Sequence, residues 1–212
     1  MSGNRRIGVL GGSFDPVHIG HLIAAEEAAR QLGLQRVLLT PAKDQWRKPD
    51  RQLAATEHRL FMLRLAASGN PAIGVSEVDI RREGPSYTKD TLADLHADLG
   101  EGVDLHFILG FDALADLPHW VEPQRITELA TLVTVVRPGY QIPWDTLEAT
   151  VPNIRDRVVT ITMPEVGSSS TEIRRRLAAQ ESARYWVPDA VLAYINEHRL
   201  YGVQEPSHSP PS

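Results

Sequence analysis

The sequence predicts an α/β fold: an open, mostly parallel sheet with helices on both faces. Three observations carry that expectation. Short apolar runs stop at glycine or proline, stretches with helical apolar spacing lie between them, and the two alternate along nearly the whole chain. The first run is Ile7-Gly8-Val9-Leu10, and Gly11-Gly12 is expected to end it as a tight turn ends a buried strand. From Gly20 onward Leu22, Ile23, Ala25, Ala28, Ala29 and Leu32 recur at helical spacing, and Gly33 offers a C-terminal stop. Arg36-Val37-Leu38-Leu39-Thr40 is a second buried strand, so the first forty residues form a β-α-β unit with a right-handed crossover. Leu60, Met62, Leu63, Leu65, Ala66 and Ala67 predict a helix running to Gly69, entered at Thr56 and Arg59 without a full capping box. Residues 73–76 are a weaker strand. A helix follows from Tyr87 to Leu99, and residues 104–109 form a strand that stops at Gly110. Residues 131–136 are the clearest strand, bounded by Arg137-Pro138-Gly139, and residues 158–161 are another. Helices over 170–179 and 189–197 close the fold. Residues 1–201 are thus expected to be a single domain, and residues 202–212, rich in proline and serine, a disordered tail.

Bulk properties narrow the class of function. A formal charge of −5 argues against gripping a nucleic acid polymer, which favours a basic face, yet leaves room for a local anion pocket. The chain has no cysteine, which excludes disulfides and thiolate metal sites. No apolar run approaches the roughly 20 residues that span a bilayer. The residues before Ile7 are too few for a secretion signal. The expectation is a cytoplasmic protein without a membrane partner; a homo-oligomer stays possible.

In a parallel sheet, ligands bind beyond the carboxyl ends of the strands, near the reversal of strand order. The chemically suggestive segments fall there: Gly11-Gly12-Ser13, residues 41–48, residues 110–112 and residues 168–174. Glycines after a first strand let a ligand approach backbone amides, and the next helix start favours phosphate. Alone, such a pair is more often a plain turn. His18-Ile19-Gly20-His21 changes the balance, because two histidines three apart at a helix start share a face. Both can donate to phosphate oxygens, with Gly20 permitting close approach. A metal site fits less well, since the usual i, i+4 spacing and a third ligand are missing.

The run GGSFDPVHIGHL, from Gly11 to Leu22, resembles the phosphate-binding motif of nucleotidylyltransferases related to class I aminoacyl-tRNA synthetases, which have a Rossmann-like sheet. Within that superfamily the chain is similar to bacterial nicotinate-nucleotide adenylyltransferases, to about Tyr201. Ser168-Ser169-Ser170-Thr171-Glu172-Ile173-Arg174 resembles the family's I-S-S-T-x-I-R, with Ser168 where isoleucine is usual. The resemblance implies that His18, His21 and Arg174 are catalytic. It implies that Gly11, Gly12, Ser13, Phe14, Gly20, Ser169, Ser170 and Thr171 bind ATP, and that Mg²⁺ arrives on the nucleotide. Gly84-Pro85-Ser86-Tyr87-Thr88 and Gly110-Phe111-Asp112 resemble acceptor-binding segments. For nicotinate mononucleotide the resemblance implies a ring stacked on Trp120, a carboxylate met near Thr88 and Val121, and a ribose contact from Asp112. One region departs: relatives commonly show P-P-H-K after the second strand, whereas here Pro41 is followed by Ala42-Lys43-Asp44-Gln45-Trp46-Arg47-Lys48. Lys48 can stand for the family lysine. Other readings are a transferase for nicotinamide mononucleotide or phosphopantetheine, and a non-catalytic nucleotide-binding module. A class I synthetase is excluded by the short chain and the missing K-M-S-K-S.

Overall fold

Along the first strand the side chains alternate between two cores: Ile7 and Val9 enter one, Leu10 the other. The computed structural model describes residues 4–43, 53–135 and 141–203. Its strands are β1 (Arg5–Gly12), β2 (Arg36–Pro41), β3 (Ile73–Val75), β4 (Val103–Leu109), β5 (Ala130–Val135) and β6 (Val158–Ile161). All pair in parallel, in the order β3-β2-β1-β4-β5-β6, so the sheet is wholly rather than mostly parallel. The chain works outward from β1 to β3 and then returns to the other side of β1 at β4. That reversal opens a crevice beyond the carboxyl ends of β1 and β4.

The helices are α1 (Ile19–Leu32), α2 (Thr56–Ala67), α3 (Val78–Arg81), α4 (Thr88–Leu99), α5 (Phe111–Ala115), α6 (Pro123–Leu129), α7 (Trp144–Thr150), α8 (Ser170–Ala178) and α9 (Asp189–Glu197). Ala25, Met62, Ile173 and Val191, from α1, α2, α8 and α9, pack with Leu10, Val37 and Ile108 on one face. Leu92, Leu114, Ile126 and Leu147, from α4 to α7, pack with Val9, Phe107 and Leu132 on the other. Both faces are therefore covered, as an all-parallel sheet requires. A Cβ at Gly8 would lie 2.8 Å from Val37 and 2.9 Å from Leu34, so glycine there sets how closely neighbouring elements approach β1. Gly33 caps α1 in the left-handed conformation, at φ 61°, as expected.

Three departures from the sequence reading bear on the site. The strand ends with Gly12, as expected, but the glycines do not form the turn: both lie inside β1, paired with Thr40 and Pro41, and neither has positive φ. The turn is made afterwards, at Phe14 (φ 48°) and the cis Asp15–Pro16 peptide. The glycines instead sit close under two rings, since a Cβ would come 3.3 Å from the Phe107 ring at Gly11 and 3.3 Å from the Phe14 ring at Gly12. Helices α3, α5, α6 and α7 were not anticipated; with four to seven residues each they are too short to show a period. Finally, Leu200–Gly202 forms a 3-10 turn, and Val203 packs against the α1 core. The fold therefore extends past the expected boundary, and the rest of the tail lies outside the described residues. No helix among the described residues is long and apolar enough to cross a membrane.

Candidate active site

His18 is the N-cap of α1, in extended backbone (φ −141°, ψ 170°), and His21 sits one turn in. Their rings stack with centroids 3.7 Å apart and planes inclined by 29°. The His18 amide donates to His21 Nδ1 at 3.2 Å, so a neutral His21 carries its proton on Nε2. Burial pulls the His18 imidazole down to about 4. Burial and the neighbouring His18 pull His21 to about 3. Both are neutral at physiological pH, and each then has one N–H to offer an anion. Gly20 leaves room between them: a Cβ would stand 3.0 Å from the His18 ring and 3.1 Å from Ser168 Oγ, so a side chain there would press on both. Not every amide of the helix start is available, because Ile19 N–H donates to Trp186 O at 2.9 Å.

The second wall is α8, and the structure brings it to the first. Ser168 Oγ lies 3.3 Å from His18 Nδ1, and Ser170 Oγ donates to Pro16 O at 2.9 Å. Ser169 is the N-cap, its hydroxyl accepting from Glu172 N–H at 3.2 Å. Arg174 donates through Nη1 to the Asp15 carbonyl oxygen and through Nη2 to Thr171 Oγ1 at 3.3 Å. The Ser170 O–H is thus engaged by the Pro16 carbonyl, whereas the Ser169 hydroxyl accepts at the N-cap and keeps its own O–H, which together with the backbone amides this helix start can turn to phosphate. Ser168, where the sequence departs from its relatives' isoleucine, was given no role from the sequence, yet its hydroxyl lies against His18.

Two further residues escaped the sequence reading. Asp15 is fully buried beneath the turn. Arg59 is 1% exposed although it lies on a helix. Its guanidinium donates to Ala54 O (3.1 Å), Ser13 O (2.9 Å), Ala42 O (2.8 Å) and Lys43 O (3.3 Å), tying the segments after β1 and β2 to α2. The available signal was its place three and four residues before Met62 and Leu63, on the apolar side of α2. Phe14, expected at the nucleotide, has a wholly buried ring, edge-on to His21 at 4.9 Å. It supports the histidine rather than facing solvent.

On the other side of the crevice, Thr88 opens α4, and exposed Asp112 lies in α5 just after β4. Trp120 and Val121 are half-buried, with the Trp120 ring edge-on to Phe107 at 6.2 Å. Phe107 also lies against Gly11, so one ring joins the β1 end to the tryptophan. The segment before α4 is anchored from below. Ser86 Oγ accepts from Lys43 N–H at 3.0 Å, and Lys43 Nζ donates to Arg82 O at 3.2 Å. Arg82 bridges Asp79 and Asp94, and Thr91 Oγ1 donates to Asp79 at 2.5 Å. Burial raises the Asp79 carboxyl despite these partners. Lys43 is therefore a structural link rather than a solvated loop charge. Lys48, with Trp46 and Arg47, lies outside the described residues.

A parallel sheet with this strand order, whose switch point gathers stacked neutral histidines and a serine-arginine helix start, defines a Rossmann-like α/β protein with its candidate site at the reversal of strand order. The cytidylyltransferase-like family profile matches residues 9–176. A protein from Thermomicrobium roseum named "Probable nicotinate-nucleotide adenylyltransferase" is 45% identical over 94% of this chain and 93% of its own. One of the same name from Roseiflexus castenholzii is 47% identical over 92% and 98%. Among solved structures, Plasmodium falciparum nicotinic acid mononucleotide adenylyltransferase complexed with NaAD has a similar fold, with TM-score 0.75 and 19% identity over 94% of this chain and 98% of that one. The chain belongs to the cytidylyltransferase-like family and, within it, to the nicotinate-nucleotide adenylyltransferases.

Proposed function

We propose that this chain transfers the adenylyl group of ATP to nicotinate mononucleotide, giving nicotinate adenine dinucleotide and pyrophosphate. The observation that carries the reading is the meeting of His18 and His21 with Ser168 to Arg174 at the β1/β4 switch point, in a chain 45% identical to a relative of that name.

A phosphate oxygen of the mononucleotide attacks the α-phosphorus in line. The bond from that phosphorus to the bridging oxygen breaks, and pyrophosphate leaves with its electron pair. The acceptor is already anionic, so no protein nucleophile or general base is needed. The chain's contribution is positioning and charge stabilisation. His21 donates from Nε2, and His18 stacks beside it as the second donor. Ser13 and Phe14 act through their backbone, along the path that Gly11, Gly12 and Gly20 keep open. The amides at Ser169, Ser170 and Thr171 and the Arg174 guanidinium take the other side of the triphosphate. Mg²⁺ enters with ATP, held by phosphate oxygens and water. Trp120 offers its face to the pyridine ring, Thr88 and Val121 amides meet the nicotinate carboxylate, and Asp112 takes the ribose. The chain as far as Val203 serves as one catalytic domain, working in the cytoplasm.

The test is pyrophosphate release from ATP with nicotinate mononucleotide, nicotinamide mononucleotide and phosphopantetheine in parallel. Turnover is expected with the first and at least tenfold less with the others. Dinucleotide formation from neither mononucleotide overturns the assignment.

A further inference from the structure

Asp15 is buried to 0% exposure, directly under the turn that leads into α1. Its Oδ1 accepts from Tyr201 Oη at 2.8 Å and from Ala54 N–H at 3.1 Å. Its Oδ2 has no hydrogen-bond partner among the described residues and faces Arg174 Nη1 at 3.6 Å. The two oxygens therefore have different tasks. Oδ1 is pinned by two neutral donors, and the pins fix the rotation of the carboxylate. Oδ2 is left pointing at the guanidinium, whose Nη1 also donates to the Asp15 carbonyl oxygen.

Tyr201 reaches this point from the far end of the described chain. It holds φ 60°, an unusual conformation for a tyrosine, inside the turn Leu200–Gly202. That turn is tied to α8 itself: Gln180, just past the helix end, donates through Nε2 to Gly202 O at 2.9 Å. The Tyr201 side chain packs against the α1 core. Burial, then the charge and hydrogen bond of Asp15, push the phenol well above its ordinary range, so it stays a donor. A strained backbone conformation placing one donor on a buried carboxylate is a feature the fold must hold in place.

We infer that Tyr201 is a positioning residue of the polyphosphate clamp: its hydroxyl fixes Asp15, and Asp15 aims Arg174. This rests on the reading of Arg174 as a polyphosphate ligand. Binding ATP then costs little side-chain ordering, because the guanidinium is already held at one edge by a fixed carboxylate. Without the phenolic donor the carboxylate can rotate, and Arg174 must be ordered by the nucleotide.

The experiment compares Tyr201→Phe, Arg174→Ala and the double variant by KM for ATP, kcat and thermal unfolding. Tyr201→Phe should raise KM for ATP roughly tenfold, the scale of one lost hydrogen bond to a charged group. It should leave kcat at saturating ATP and KM for the acceptor within about twofold. In the Arg174→Ala background the same substitution should leave KM for ATP unchanged, while any loss of thermal stability persists. An equal rise with and without Arg174, or none in the folded single variant, overturns the inference and leaves the clamp standing. Parental kinetics for Arg174→Ala would instead overturn the clamp reading. Should Tyr201→Phe not fold, Asp15→Asn carries the test. It keeps an oxygen for Tyr201 and Ala54, removes the charge facing Arg174, and must show the same Arg174-dependent rise.

Discussion

Replacing His21 by asparagine should make the ligand-free protein less sensitive to acid. In the folded chain His18 titrates at about 4 and His21 at about 3, against 6.5 for a free imidazole. Below pH 6.5 the unfolded chain takes up protons that the folded chain refuses, so these groups contribute stability that is present above pH 6.5 and lost as pH falls. At pH 5 both native values lie lower still, so the loss depends mainly on the distance from 6.5. That distance, at about 1.4 kcal/mol per pH unit, is worth about 2 kcal/mol for each ring. The pair should cost the protein about 4 kcal/mol between pH 7.5 and pH 5, a large share of a typical stability of about 5–15 kcal/mol. His21→Asn keeps an acceptor for the His18 amide but does not titrate, so its loss over the same interval should be smaller by about 2 kcal/mol. Urea unfolding at the two pH values, without nucleotide, measures both. Equal losses in parent and variant would falsify the claim that these rings are held neutral by the fold, since carboxylate contributions cancel in the comparison.

Other substitutions separate chemistry from architecture. His21→Ala should lower kcat by about 10²-fold or more, as for a lost donor to transition-state charge, with circular dichroism unchanged; turnover near the parent's would remove His21 from the mechanism. Gly20→Ala puts a methyl 3.0 Å from the His18 ring and should cut kcat at least roughly tenfold, because a ligand-facing ring misplaced slightly loses alignment. Steady-state kinetics near parental values would show that the ring can give way. Arg59→Met should destabilise the fold by at least about 3 kcal/mol, leaving the carbonyls of Ser13, Ala42, Lys43 and Ala54 without their buried donor; a loss below about 1 kcal/mol in denaturant titration would mean that water or another side chain replaces it.

The sheet was legible in the sequence because each of its longer strands is a short apolar run with a clear stop, and α1 and α2 because their apolar residues recur over three turns or more. Helices α5, α6 and α7 were not, since five to seven residues complete too little of a period. Of the site, the histidine pair could be found because its partners are three residues apart, on one turn of one helix. Gly11 and Gly12 were located correctly, but the turn ascribed to them is made at Phe14 and Asp15–Pro16 instead. A sequence shows that a side chain is missing, not whether a positive φ or a neighbouring ring requires it. Asp15 and Tyr201 stand 186 positions apart, and Arg59 meets Ser13 across 46. Contacts of that separation leave no local pattern, so the network under the clamp became visible only in three dimensions.

The electrostatics of the proposed clamp suit an enzyme that must release what it has stabilised. Its substrates and its leaving group are all polyanions, and a pocket of permanent, unpartnered cations would bind pyrophosphate as firmly as the transition state. The chain offers something different. Burial keeps His18 and His21 neutral, and Arg174 is held beside the Asp15 carboxylate. Fixed N–H dipoles gain most where charge accumulates during transfer, and they cost no reorganisation because the histidine stack, Gly20 and Ser168 hold them in advance. The price is borne by the fold, in buried imidazoles that weaken it in acid and in a carboxylate with one oxygen unsatisfied. Both costs fall at the β1/β4 switch point, where catalysis gains from a rigid, weakly charged cradle.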